Sequence, residues 1–120
     1  MASTAIDYDA IYQRDHYTGA YCGFDGRSFD NWMQLLCDHI KPTGQGGTTS
    51  EDNLVTACYY CNALCSGFKF ATAEPLLEIL KKRRKHVTAK QREIYQRWLR
   101  SVPNYYKNHA FPAQRPWGRK

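Results

Sequence analysis

The residues of this 120-residue chain that could do chemistry are concentrated between Asp38 and Asn62. Asp38-His39 is followed fifteen residues after Asp38 by Asn53, and nine residues later by Asn62, which directly follows Cys58-x-x-Cys61. A carboxylate such as Asp38 offers a hard oxygen suited to Mg2+, Mn2+ or another divalent cation, and the Asn62 amide a second, neutral one. Imidazole titrates near neutral pH, so His39 can act as general base on a water beside it. A base for water and a cation for the charge that builds on a pentacoordinate phosphate are what phosphodiester hydrolysis needs. Asn53 is expected either to orient the His39 ring or to brace the intervening loop. Taken singly, a histidine is usually hydrogen-bonded structure and an asparagine a turn residue. Their combination and order point to a metal-dependent nuclease centre.

Positioning these groups requires a small set of elements. The apolar run 35–40 reads as a strand that delivers Asp38 and His39 at its end, and Pro42 stops it. Adjacent residues of a strand leave opposite faces, so the backbone is expected to depart from regular β geometry there. The Gly- and Thr-rich stretch 43–50 reads as a loop. Leu54–Ala57 then returns as a second strand or a short extended piece. Cys58 begins a helix running to Phe68, which places Cys58, Cys61, Asn62 and Cys65 near one face. Upstream, residues 6–14 suit a short helix with Asp7 and Asp9 at its positive end. Cys22-Gly23 looks like half of a zinc knuckle, and Asp25-Gly26 like a turn. Downstream, Pro75 opens a helix over Leu76, Leu77, Ile79 and Leu80. Thr88-x-x-Gln91 fits a capping box for a second helix whose core face is Ile94, Tyr95, Trp98 and Leu99. The expected fold class is α+β. Its parts are a core over 1–70 with an N-terminal helix, and a basic helical extension and tail over 71–120.

Charge divides along the chain. Residues 1–80 hold four Lys or Arg against ten acids, a net of −6, whereas residues 81–120 hold thirteen against Glu93, a net of +12. Clustered cations gain affinity for nucleic acid by releasing its counterions, so DNA is the expected partner. The residues expected to meet its backbone are Lys41, Lys81, Lys82, Arg83, Arg84, Lys85, Arg92 and Arg97. Basic and aromatic residues alternate beyond Pro103, a composition that can stack on bases. No apolar run reaches the roughly 18 residues of a membrane span, and the first residues lack signal-peptide character, so a cytoplasmic protein with no membrane partner is expected. Five cysteines are an odd set, and in a reducing compartment Cys-x-x-Cys is read as metal ligation before disulfide.

Asp38-His39-Ile40-x-Pro42, Gly46-Gly47, Asn53-Leu54 and Cys58-x-x-Cys61-Asn62 together resemble the signature of the HNH endonucleases, which are ββα-metal or His-Me finger nucleases. The resemblance spans about Arg14 to Gly67. It implies a small ββα-metal core, His39 as general base, Asp38 and Asn62 as ligands of one divalent cation, and Asn53 as the residue supporting His39. It also implies nicking or double-strand cleavage of DNA, and compact members of the family are common in phages and bacteria. Zinc-bearing members carry Cys-x-x-Cys ahead of the Asp-His pair; here Gly19 stands in the first position and leaves Cys22 alone. Structural zinc would then use Cys22, Cys58 and Cys61, with Cys65 the best fourth ligand, Cys37 next and His16 a remote third. Many relatives have lysine where Cys65 stands.

Two rivals remain at this level. One is a catalytically inactive, zinc-stabilised nucleic-acid-binding module, and the other an adaptor whose basic arm meets an acidic protein. Neither needs the Asp38, His39, Asn53 and Asn62 set. A homodimer and a larger nucleic-acid-processing complex are both compatible with the sequence.

Overall fold

Two five-residue stretches, Leu35–His39 (β1) and Leu54–Cys58 (β2), pair antiparallel into a two-stranded sheet. Leu35 lies opposite Cys58, Asp38 opposite Val55, and His39 opposite Leu54. A lone hairpin is marginal in water, so both faces need covering. These elements come from a computed structural model that describes residues 6–65 and 74–110. The chain divides into two compact units, Met1–Ala89 and Lys90–Lys120. The expected boundary between residues 70 and 71 lies outside the described residues.

In the first unit, helix α1 (Tyr8–Arg14) is capped by Asp7, whose carboxylate accepts from the Ala10 amide. It packs on the face of the hairpin that carries Thr56, whose hydroxyl reaches the Ile11 carbonyl. The last residue of α1 and residues just past it also cover the open edge of β2. Arg14 donates to the Glu51 and Leu54 carbonyls, the Thr56 amide donates to Asp15, and the Ala20 amide donates to the Thr56 carbonyl. An edge satisfied in this way cannot template further strands. A four-residue helical turn, α2 (Phe29–Trp32), leads into β1.

The other face of the hairpin carries the main core. Val55, Ala57 and Ile40 cluster with Tyr21, Cys61, Cys65, Ile79 and Val87. Helix α3 (Tyr59–Leu64) follows β2 without a linker, with Cys58 as its N-cap. It is shorter than the helix expected to Phe68, and residues 66–68 lie outside the described residues.

Helix α4 (Leu76–Tyr106) is a single element of 31 residues. The sequence predicts two helices with a cap at Thr88; instead the Thr88 hydroxyl donates back to the Arg84 carbonyl within an unbroken helix. No glycine or proline interrupts residues 76–102, and the Lys/Arg run has good helix propensity, so nothing stops propagation. In its first part Ile79, Arg83 and Val87, spaced by four, are all buried. An Ile79→Ala change there would cost about 2–5 kcal/mol.

Within the second unit, the face expected to be core is open among the described residues. Tyr95 is 55% exposed and Trp98 46%, and their rings stack on each other with centroids 5.8 Å apart. Apolar spacing says which face would be covered but cannot supply the cover. Among the described residues, no helix is long and apolar enough to cross a membrane.

Candidate functional site

The end of β1 carries Asp38 and His39, and here the expected break in β geometry does not occur. The ladder stays in register through both residues, and the Ile40 amide extends it by donating to the Asn53 carbonyl. Consecutive residues of a regular strand point to opposite faces, and their partners accordingly differ. Asp38 faces the core side. Its Oδ2 accepts from the Tyr21 hydroxyl at 2.7 Å and from Arg83 Nη1 at 3.0 Å. His39, half-buried, holds its Nε2 3.0 Å from the Thr49 hydroxyl in the loop that follows.

That loop is organised by Asn53, which is 2% exposed. Its Oδ1 accepts from the Lys41 amide, and its Nδ2 donates to the Lys41 and Thr48 carbonyls. Both donors and the acceptor oxygen of the carboxamide are therefore engaged with backbone. Of the two roles expected for Asn53, bracing the loop is the one these bonds describe. It acts on His39 indirectly, by fixing the loop that carries Thr49. Gly47 makes the closure sterically feasible: a Cβ at that position would lie 1.8 Å from the Lys41 carbonyl oxygen.

Asn62 sits half-buried on α3. Asn62 and Asp38 both carry oxygen donors, the ligand type Mg2+ prefers, Asp38 on β1 and Asn62 on α3. The Asp38 carboxylate fits this use because only one of its oxygens is taken; Oδ1 has no hydrogen bond among the described residues.

At the opposite end of the hairpin three sulfurs converge. Those of Cys22, Cys58 and Cys61 all lie within 4.8 Å of one another, and Cys22 and Cys58 are 3.8 Å apart. Two thiolates on one tetrahedral zinc would be separated by about 3.8 Å, so the cluster fits that ion. Burial pushes the Cys22 and Cys61 thiols up from their ordinary range. The knuckle turn is intact: the Gly23 amide donates to the Gly19 carbonyl, and Gly23 adopts a φ of 77° that glycine takes without strain. A Cβ on Gly19 would lie 3.6 Å from the Cys58 amide nitrogen, so this backbone position borders the cluster but brings no ligand.

Cys65, expected as fourth ligand, lies outside this three-thiol group. One turn beyond Cys61 on α3, it is buried in the core, where the charges of Arg83 and Asp38 act on it. Cys37 and His16 are also outside the group.

Of the residues expected to meet phosphate, Lys81, Lys82, Arg84, Lys85, Arg92 and Arg97 are exposed and Lys41 half-buried. Arg83 is the correction, being 4% exposed and directed at Asp38. The signal for this was present in the sequence, because position 83 falls midway between Ile79 and Val87 on the apolar row of the helix. Tyr21 and Thr49 are the partners that sequence reasoning missed. Arg84, although exposed, also donates to the Ala20 carbonyl and so ties α4 to the knuckle.

Residues 20–64 match the family model described as HNH endonuclease. The match contains Asp38, His39, Asn53, Asn62 and three clustered thiols. No match to the chain is found among curated proteins or solved structures.

Proposed function

Given that residues 20–64 match the HNH endonuclease family model, we propose that this protein is a metal-dependent DNA endonuclease that hydrolyses phosphodiester bonds. The observation that carries the reading is the end of β1. There His39 is held on Thr49 by a loop locked through the buried Asn53, and the preceding residue, Asp38, on the other face of the strand, keeps an oxygen with no hydrogen bond among the described residues. A half-buried imidazole at a strand end, held by a braced loop, can take a proton from water without that loop having to reorganise. In this proposal His39 is the general base, and Asp38 and Asn62 hold Mg2+ or another divalent cation. The cation, when bound, supplies charge stabilisation to the phosphate and the leaving oxygen. Asn53 preserves the geometry of the His39 loop. Zinc held by Cys22, Cys58 and Cys61 would brace the other end of the hairpin. The exposed cations Lys81, Lys82, Arg84, Lys85, Arg92 and Arg97, with Lys41, hold the DNA backbone and contribute affinity without reading sequence.

The test is to incubate the purified protein with supercoiled plasmid and a panel of divalent cations. Nicked or linear product in Mg2+ or Mn2+, abolished by EDTA, is expected; full activity in excess EDTA would overturn the proposal.

One observation favours a second reading. The buried ion pair between Asp38 and Arg83 occupies the carboxylate that should serve the cation. A nucleic-acid-binding module without turnover would carry such a pair at no cost. It would bind DNA in a salt-sensitive way and cut it with no cation.

A further inference from the structure

Arg83 is a charged residue on an otherwise apolar row. It sits in line with Ile79 and Val87 on the buried row of α4, whose other two members are apolar. Its Nη1 lies 3.0 Å from Asp38 Oδ2, with the two side chains 5% and 14% exposed. Among the described residues it is the ion pair with the least exposure on both sides. The guanidinium also stands 5.8 Å from the Tyr21 ring centroid, and its Nε–H has no hydrogen-bond partner among the described residues. Tyr21 donates to the same Oδ2, and among the described residues Oδ1 has no hydrogen bond.

We propose that Arg83 is the resident counter-ion of Asp38, so that the free protein takes a divalent cation weakly and holds it firmly only when a nucleic-acid phosphate supplies further negative charge. The inference rests on the reading of Asp38 as a cation ligand. The reasoning is a charge count. Asp38 contributes −1 and Arg83 +1, while Asn62 and Tyr21 contribute nothing, so these groups are neutral together before a cation arrives. A dication on Oδ1 must then share its one anionic ligand with a guanidinium a few ångströms away, in surroundings that screen charge poorly. A phosphodiester adds −1 at the same place and relieves that repulsion. Cation and DNA thus bind cooperatively, each raising the affinity of the other by the same factor. Arg83 acts through Asp38 and is a positioning and charge-balancing residue.

The experiment is Mn2+ titration of the full chain, with free Mn2+ followed by electron paramagnetic resonance, in the absence and presence of a phosphorothioate duplex that resists cleavage. Arg83→Met is expected to bind Mn2+ at least tenfold more tightly than wild type without DNA, and to gain less from DNA. Arg83→Lys, which keeps the charge, is expected within about threefold of wild type. Equal or weaker binding by Arg83→Met would overturn the proposal. Should that variant fail to fold, Mg2+ titration of the wild type by NMR decides. The Arg83 guanidinium signals are expected to move with the Asn62 side-chain amide at one midpoint, and signals unmoved at saturation would overturn the proposal. Wild type that binds no Mn2+ even with DNA would sink the nuclease reading and this inference with it. Binding that is indifferent to Arg83 would sink this inference alone.

Discussion

The two ends of the β1–β2 hairpin are built from the same ladder and use different chemistry. At one end His39 and Asp38 are placed by hydrogen bonds: Thr49 on the imidazole, Tyr21 and Arg83 on the carboxylate, and Asn53 locking the loop between. At the other, where Cys58 lies opposite Leu35, Cys22, Cys58 and Cys61 gather three sulfurs within 4.8 Å of one another. The difference teaches that, among the described residues, the first end pairs an imidazole on one face of the strand with a carboxylate on the other, each held by named hydrogen-bond partners. The second can hold an ion but offers no base. Substitutions at the two ends should therefore separate the chemical step from the stability of the fold.

The largest combined effect is expected from Asp38→Ala. It removes the free carboxylate oxygen and also leaves Arg83 buried without its partner, a loss of about 3–5 kcal/mol for a buried pair broken on one side. Denaturant unfolding alongside a plasmid assay should show both losses. An unchanged unfolding midpoint would mean that the pair does not exist in solution.

Next in size are the loop changes. Asn53→Ala strands the Lys41 amide and two carbonyls, each costing on the order of 1–3 kcal/mol if left unsatisfied. Gly47→Ala forces a methyl onto the Lys41 carbonyl, an overpacking cost of about 1–3 kcal/mol. Both should slow cleavage more than their stability loss explains, because His39 loses its fixed partner. Wild-type cleavage by a folded Asn53→Ala protein would show that the loop needs no bracing.

The thiol end should behave in the opposite way. Cys61→Ser is expected to lower bound zinc, measured by elemental analysis, and to lower the melting temperature. Single-turnover cleavage by the remaining folded protein should change less than about threefold. A large loss of rate at full stability would break the contrast between the two ends. Gly19→Cys sharpens it, because the substitution brings a fourth thiol to a position that borders the cluster. Tighter zinc binding with an unchanged rate is expected.

The smallest effect is assigned to the arm. Deleting residues 101–120 removes Lys107, Arg115, Arg119 and Lys120, which should weaken DNA binding several-fold at low salt and flatten its salt dependence. The rate at saturating DNA should hold. Undiminished affinity would show that the tail is incidental.

How much of this was legible in the sequence follows from how local each signal is. The hairpin, the loop and the helix at Cys58 were readable because apolar runs, Pro42 and the glycines punctuate them within a few residues. So was the end of β1 at Asp38-His39, although a strand regular to its last residue needs no bulge to end there. What was not legible depended on distant partners. Tyr21 and Thr49 look like ordinary polar residues until the chain brings them to Asp38 and His39. Arg83 was grouped with its basic neighbours by composition, when its four-residue spacing from Ile79 and Val87 marked it as buried. The Thr88 capping box misled because the motif is satisfied equally by a hydroxyl that bonds backward in a continuous helix. Tyr95 and Trp98 lie on the apolar face that the spacing predicts, but spacing carries no information about what covers it.

The central claim is that His39 performs the chemistry at its end of the hairpin. Single-turnover plasmid cleavage in Mg2+, comparing wild type with His39→Ala at matched folded concentration, tests it most directly. A fall of about 10²–10⁴-fold is expected from loss of a general base, with the melting temperature nearly unchanged. A His39→Ala protein that cleaves at the wild-type rate would contradict the account.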